Sequence, residues 1–200
     1  MGNGRTIGIL IFDAVEEMDF VGPWEVLKAA ADKNPQDRVV TIAPKPGLVL
    51  CEKGMRVLPD HVQAEAPPID VLVIPGGSGA RREANNPATV DWLRRTAPVC
   101  KWVCSVCTGA FLLVGAGLAE GRKVTTHHDF LNELRRLGSG EVLDGVRFVV
   151  DGHVVTAAGV MSGIEMSLWL VGRLYGSETE HRTRRYIAYD DPPRGKLRAG

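Results

Sequence analysis

Residues 100–109 read Cys-Lys-Trp-Val-Cys-Ser-Val-Cys-Thr-Gly, which sets Cys104 and Cys107 at C-x-x-C spacing. Three chemistries fit that spacing: a redox disulfide, half of a zinc site, or one nucleophilic thiol beside an unrelated cysteine. Side chains alternate across a strand, so residues three apart in the apolar run that ends at Cys107 point to opposite faces. A redox pair places its first cysteine at a helix N-terminus, whereas the helical pattern here starts after Cys107. Zinc needs two further paired ligands, and the chain has no second C-x-x-C and no H-x-x-x-H.

A nucleophile elbow is the remaining chemistry. A sharp strand-to-helix turn with small neighbours, here Gly109 and Ala110, exposes one reactive side chain at the top of a sheet. A helix N-terminus behind the thiol is expected to lower its pKa below the free value of about 8.5. Cys107 is therefore the candidate nucleophile, with Cys100 and Cys104 as core residues. The bland alternative, that Cys107 is one more small buried side chain, stays open at this level.

These residues have to be held by a sheet and its helices. Short Val- and Ile-rich runs predict strands over 7–12, 39–42, 71–74, 99–106 and 123–126, and a hairpin of 146–150 with 154–157 joined by Asp151-Gly152. Helical spacing predicts helices over 20–31, 87–96, 108–118, 130–137, 162–175 and 178–188, with Pro23 in the first turn of the first. Residues 48–62 read as an antiparallel excursion at a sheet edge, and a polar, Pro-rich tail runs from about 190. Strands alternating with helices imply an α/β fold, a mostly parallel central sheet covered on both faces in three layers. Ligands in such folds bind beyond the C-terminal strand ends. Residues 13–23, 75–79 and 107–109 all follow strands there, so they are expected to converge.

The 200 residues are 44% hydrophobic, enough for one buried core and short for two, so a single domain over 1–200 is expected. Twenty-four basic residues balance twenty-four acidic ones, which leaves no positive field for nucleic acid or an anionic membrane. A small molecule or another protein is the expected partner. The apolar stretch Phe111 to Ala119 is broken by glycines and falls short of the roughly 20 residues that cross a bilayer. No basic, then apolar, leader precedes the first strand, and three of the four cysteines cluster; a reducing cytoplasm is the expected compartment.

Five stretches in order carry a resemblance: F-D-x-x-x-x-x-D-x-x-G-P-W-E-V-L from Phe12 to Leu27, V-I-P-G-G-x-G from Val73 to Gly79, C-T-G-A-F-L-L from Cys107 to Leu113, T-T-H-H from Thr125 to His128, and A-A-G-V-M-S-G-I-E-M-S-L from Ala157 to Leu168. The chain resembles the DJ-1/PfpI superfamily over nearly its whole length. The aspartate before Gly22-Pro23, the threonine after the cysteine and Y-D-D-P-P at 189–193 look most like its isocyanide (isonitrile) hydratases.

The resemblance implies a flavodoxin-like, class I glutamine amidotransferase-like sandwich without metal or cofactor. It also implies a homodimer and a carboxylate, at Asp19, that approaches Cys107. On residue type alone Asp19 is an N-cap, and the resemblance reverses that preference; Glu16 and Glu17 are nearby rivals outside the family's position. The backbone amides of Gly77 and Thr108, with Gly76 in the same loop, are expected to line an anion hole. Thr108 stands where protease-like relatives carry histidine, which argues against a Cys-His peptidase. His127 and His128 are candidates for catalysis or for substrate contact, with simple strand termination as the alternative; the hydratases usually carry tryptophan at the position of His128. Trp24 is a further pocket candidate. The implied activity is addition of water to an isocyanide through a Cys107 thioimidate, with Asp19 and Thr108 assisting. A glyoxalase-like carbonyl enzyme and a noncatalytic redox or ligand sensor are the alternatives. Regulators with this type of domain add a DNA-binding helical module, for which the dozen residues after the last expected helix leave no room.

Overall fold

The computed structural model describes residues 4–32 and 34–189. The polar tail from about 190, and with it most of the 189–193 motif, lies outside the described residues. In chain order the elements are β1 (Thr6–Leu10), α1 (Glu17–Ala31), β2 (Arg38–Ala43), β3 (Val49–Leu50), β4 (Arg56–Val57), β5 (His61–Val62), β6 (Val71–Ile74), α2 (Ala80–Ala84), α3 (Pro87–Thr96), β7 (Trp102–Val106), α4 (Ala110–Gly115), β8 (Lys123–Val124), α5 (Leu131–Arg136), β9 (Glu141–Val142), β10 (Phe148–Asp151), β11 (Val154–Ala157), α6 (Val160–Tyr175) and α7 (Ser177–Tyr186).

Seven strands form the main sheet in the order β10-β11-β7-β6-β1-β2-β5. Every neighbouring pair is parallel except β10 with β11, which form the expected hairpin at one edge. The fold is thus an α/β sandwich of the flavodoxin-like kind, as the alternation of strands and helices implies. Its central strands are apolar throughout because both faces are covered: Ile7, Ile9, Leu10, Val71, Leu72, Val73, Ile74 and Val103 are inaccessible to solvent. Each such side chain contributes about 1.5–3 kcal/mol through burial. Helices α1, α6 and α7 pack together as one layer, and α2 packs with α3 and α4 in the other.

Strands β1, β6 and β7 are side by side at the centre of this order. The loops that follow them, 13–16, 75–79 and 107–109, therefore emerge next to one another at one sheet edge. This adjacency builds the site.

Several expected bounds move for local reasons. The 99–106 strand starts at Trp102, since Ala97–Val99 is a 3-10 turn that carries Pro98. The 108–118 helix is a 3-10 turn, Cys107–Gly109, followed by six α-helical residues. In 48–62, β3 and β4 pair antiparallel away from the main sheet, whereas β5 joins β2 in parallel. The 123–126 strand shrinks to β8, which pairs with β9 outside the main sheet. Helix α1 begins three residues earlier than expected, so Pro23 lies inside it and has no N–H for the carbonyl of Asp19.

Candidate active site

Strand β7 ends at Val106, and Cys107 turns the chain with φ of 55°, a left-handed conformation rare for a residue with a Cβ. The buried hydroxyl of Thr126 donates a 2.8 Å hydrogen bond to the Cys107 carbonyl and so restrains the turn. Cys104, by contrast, is fully enclosed within β7. The two cysteines do not form a pair, and all four are free thiols. The Cys107 side chain, 8% exposed, opens onto a cavity of about 220 Å³ whose walls include Glu16, Glu52, Ser78, Arg81, His127 and Phe130.

Burial pushes the Cys107 thiol up to about 12; the charge of Asp19 adds to the rise, and the amide and hydroxyl of Thr108 oppose it. This corrects the expectation of a lowered thiol. Only six residues of α-helix follow the elbow, and their small dipole does not offset desolvation.

Asp19 lies in the first turn of α1, whose N-cap is Glu16, so the capping alternative for Asp19 does not hold. Its carboxyl is wholly buried. The Gly76 amide donates to Oδ2 at 3.0 Å. Desolvation pushes the carboxyl up to about 7, the Gly76 bond opposes that rise, and the charge of Glu16 adds to it. The Cys107 thiol acts on this carboxyl as a hydrogen-bonding group, yet Oδ1 has no partner at full hydrogen-bond geometry. The resting dyad is coupled and leaves one lone-pair site on the carboxyl unused. Helix α1 can sit this deep because Gly22 lets α6 close on it: a Cβ there would stand 2.9 Å from Ile164 Cγ1.

The glycine loop is arranged differently from the expected anion hole. Gly77, at φ 116°, donates its amide to Thr108 Oγ1 at 3.0 Å, and that hydroxyl is also 3.1 Å from the Gly77 carbonyl oxygen. The Gly76 amide is engaged by Asp19. Both loop amides therefore hold side chains of the site. The Thr108 amide is the one turned to the Cys107 sulfur.

The rivals of Asp19 have other partners. Glu17 Oε1 accepts from the amides of Lys53 and Met55 and so ties α1 to the β3–β4 hairpin, while Glu16 pairs with Lys53 Nζ at 2.9 Å. His127 lines the cavity, and its Nδ1 accepts from the Asp129 amide at 3.3 Å. His128 is exposed and faces a neighbouring groove instead. Trp24, expected in the pocket, packs against the core and is not part of the cavity wall.

Two residues were given no role by the sequence. One is Thr126, within the T-T-H-H stretch. The other is Arg81, whose Nε and Nη2 bind the Glu133 carboxylate at 2.6 and 2.9 Å. Its guanidinium also stacks over Phe111 and Phe130, 4.9 and 4.3 Å from the ring centres. A run Ala-Arg-Arg-Glu in a five-residue helix has no periodicity to mark an inward face.

Among the described residues one donor cluster has metal-like proximity, His127, His128 and Asp129, with donor atoms within 4.8 Å of one another. Two of its members are exposed and its Nδ1 is already bonded. A larger cavity, about 500 Å³, lies beside Asp13, Lys45 and Arg82. Its wall contains no thiol, and the Leu50 amide holds its Asp13 carboxyl below the ordinary value, so chemistry rather than size selects the cavity at Cys107. Among the described residues, no helix is long and apolar enough to cross a membrane.

Known proteins resemble this chain over most of its length. The isonitrile hydratase of Pseudomonas putida is 32% identical over 187 residues, covering 94% of this chain and 79% of that protein. The Parkinson disease protein 7 homolog of Danio rerio is 27% identical over 94% of this chain and 99% of its own. A crystal structure of a ThiJ/PfpI family protein from Pseudomonas syringae superposes with a TM-score of 0.87 at 26% identity, covering 98% of this chain and 79% of that one. The model of the DJ-1/PfpI family matches residues 5–173. With that match spanning sheet, glycine loop and elbow, the chain belongs to the DJ-1/PfpI family.

Proposed function

We propose that the protein is an isocyanide hydratase that converts an isocyanide and water to an N-substituted formamide at Cys107. The observation that carries this reading is the coupling of a strained elbow thiol to a buried carboxyl, Asp19, that titrates near neutrality. Similarity to the Pseudomonas putida isonitrile hydratase supports the choice of substrate class.

Between about 7 and about 12 the dyad keeps one proton, carried at rest by the thiol. As an isocyanide enters, that proton passes to the Asp19 carboxylate and Sγ forms a bond to the isocyanide carbon. The carbon, now carbanionic, takes the proton back from Asp19, which leaves a thioimidate. Asp19 then accepts a proton from water as its oxygen adds to the same carbon, and returns that proton to nitrogen. The C–S bond breaks, the hydroxyl proton passes to sulfur, and the formamide departs. Thr108 steers these transfers through its amide at sulfur, while its hydroxyl is anchored on Gly77. His127 is a wall of the cavity and takes no proton in this scheme.

The working unit in this proposal is a cytoplasmic homodimer of single-domain chains. Four unpaired cysteines suit a reducing compartment. An apolar groove of about 490 Å³ lined by Met18, Val21, Val26, Met161, Ile164 and Ile187, with Met18 and Met161 exposed, suits a second copy.

Incubation with cyclohexyl isocyanide and assay of N-cyclohexylformamide tests the reading. Lactate from methylglyoxal without formamide would favour the carbonyl enzyme. Absence of both products, with facile oxidation of Cys107 to a sulfinate, would favour the sensor.

A further inference from the structure

We propose that the Arg81–Glu133 pair on the cavity wall tunes the reactivity of Cys107, with the Arg81 guanidinium supplying a positive field that favours the thiolate as it forms and the Glu133 carboxylate limiting that field. This inference rests on Cys107 as the nucleophile. It concerns a pair of residues that no sequence motif marks.

Several groups face the Cys107 cavity. The residue before α1 presents Glu16, and Asp19 of α1 acts on Cys107 from behind the wall; from the hairpin turn comes Glu52, with Lys53 bridging Glu16 and Glu52 at 2.9 and 3.6 Å. The elbow presents the Thr108 amide and hydroxyl, the 125–128 loop presents His127, and α2 presents Arg81. Among the described residues Arg81 is the one arginine on that wall, and Lys53 is not part of it.

The guanidinium is fixed rather than swinging. Two bonds to Glu133 occupy Nε and Nη2, and the rings of Phe111 and Phe130 stack on it. A planar fork held at both levels keeps its charge at one place, which a flexible lysine does not do. The guanidinium and Cys107 line the same cavity; a Cys107 thiolate favours the protonated guanidinium, and by reciprocity the guanidinium favours the thiolate, by less than Asp19 or Thr108 act on the same sulfur. Burial and the charge of Asp19 outweigh it and hold the thiol neutral at rest. The Arg81 field is thus an opposing contribution that matters when the thiolate forms on attack and again when it leaves the thioimidate.

Removal of either partner breaks the same clamp, but the field at sulfur moves in opposite directions. Arg81→Gln takes away the cation; Glu133→Gln takes away the anion that offsets it. The test is the rate of Cys107 alkylation by iodoacetamide, followed on the Cys107 peptide by mass spectrometry between pH 6 and 10. Arg81→Gln should slow alkylation about tenfold at each pH in this range, whereas Glu133→Gln should speed it about threefold. Arg81→Lys, which keeps charge without the fork, should stay within about threefold of wild type and covers the case in which Arg81→Gln does not fold. Slowing in both Gln variants would show that the pair is a packing clamp and would overturn the proposal, as would two unchanged profiles. Alkylation needs no isocyanide, so a protein inactive on isocyanides would leave this test intact.

Discussion

The amide of Gly76 reaches Asp19 Oδ2 at 3.0 Å from a position that accepts no side chain: a Cβ there would stand 2.8 Å from that oxygen and 2.6 Å from both the amide and the hydroxyl of Thr108. One backbone position therefore sets the spacing of carboxyl and elbow. Gly76→Ala forces these groups apart and should reduce kcat/KM for cyclohexyl isocyanide by about a hundredfold or more. Overpacking of this kind destabilises by about 1–3 kcal/mol, so the variant should still fold and be assayable. Activity within a few-fold of wild type would show that the dyad tolerates the displacement.

Asp19 links activity to stability with opposite signs. Its folded pKa of about 7 is above the ordinary carboxylate value of 3.8, so the folded chain binds the proton more tightly than the unfolded one. The stabilisation this gives is full below the unfolded value and is lost as pH rises towards about 7. Asp19→Asn keeps an acceptor for the Gly76 amide and removes the buried charge. At pH 8 it should unfold later than wild type by roughly 2–4 kcal/mol, and the gain should vanish near pH 4. Paired thermal melts at the two pH values check this.

The same titration shapes turnover. One dyad proton must leave before the carboxylate can take up the thiol proton, so kcat/KM should rise with pH through about 7 and then level off. Asp19→Asn should lose at least about a thousandfold in kcat, with no residual inflection near 7. A wild-type profile falling from pH 6 to 8 would contradict this ordering of protons.

Thr126 is 19 positions from Cys107 in sequence, yet its buried hydroxyl holds the Cys107 carbonyl at 2.8 Å. Thr126→Val removes the donor at nearly constant volume and should destabilise by about 1–2 kcal/mol. If the bond also keeps the elbow at its left-handed φ, kcat should fall about tenfold while KM changes little, and Thr126→Ser should restore it. A Val variant with lowered melting temperature and unchanged kcat would make Thr126 a matter of stability alone.

How much of this was readable in advance varied by residue. Strand β6 and helix α3 match the expected bounds, because an uninterrupted Val71–Ile74 run and Pro87 after Asn86 are local signals; Asn86 does cap α3, through Oδ1 to the Ala88 amide. The separation of Cys104 from Cys107 followed from strand alternation, and the meeting of three loops from the rule that ligand loops follow parallel strands. The raised thiol could not be read, since it depends on how deeply the elbow is buried rather than on the helix behind it. Nor could the engagement of the Gly76 and Gly77 amides, which is decided by Asp19 and Thr108 arriving from elements 57 and 31 positions away. Trp24 was misplaced because a tryptophan on an amphipathic helix fits a core face as well as a pocket.

The central claim is that Cys107 forms a thioimidate with an isocyanide. The most direct measurement is mass spectrometry of the intact protein, quenched with acid during turnover of cyclohexyl isocyanide, with wild type, Cys107→Ala and Asp19→Asn compared. Wild type should carry an adduct equal to one added isocyanide on the Cys107 peptide and release N-cyclohexylformamide; Cys107→Ala should show neither adduct nor product. Formamide production that persists in Cys107→Ala would contradict the account.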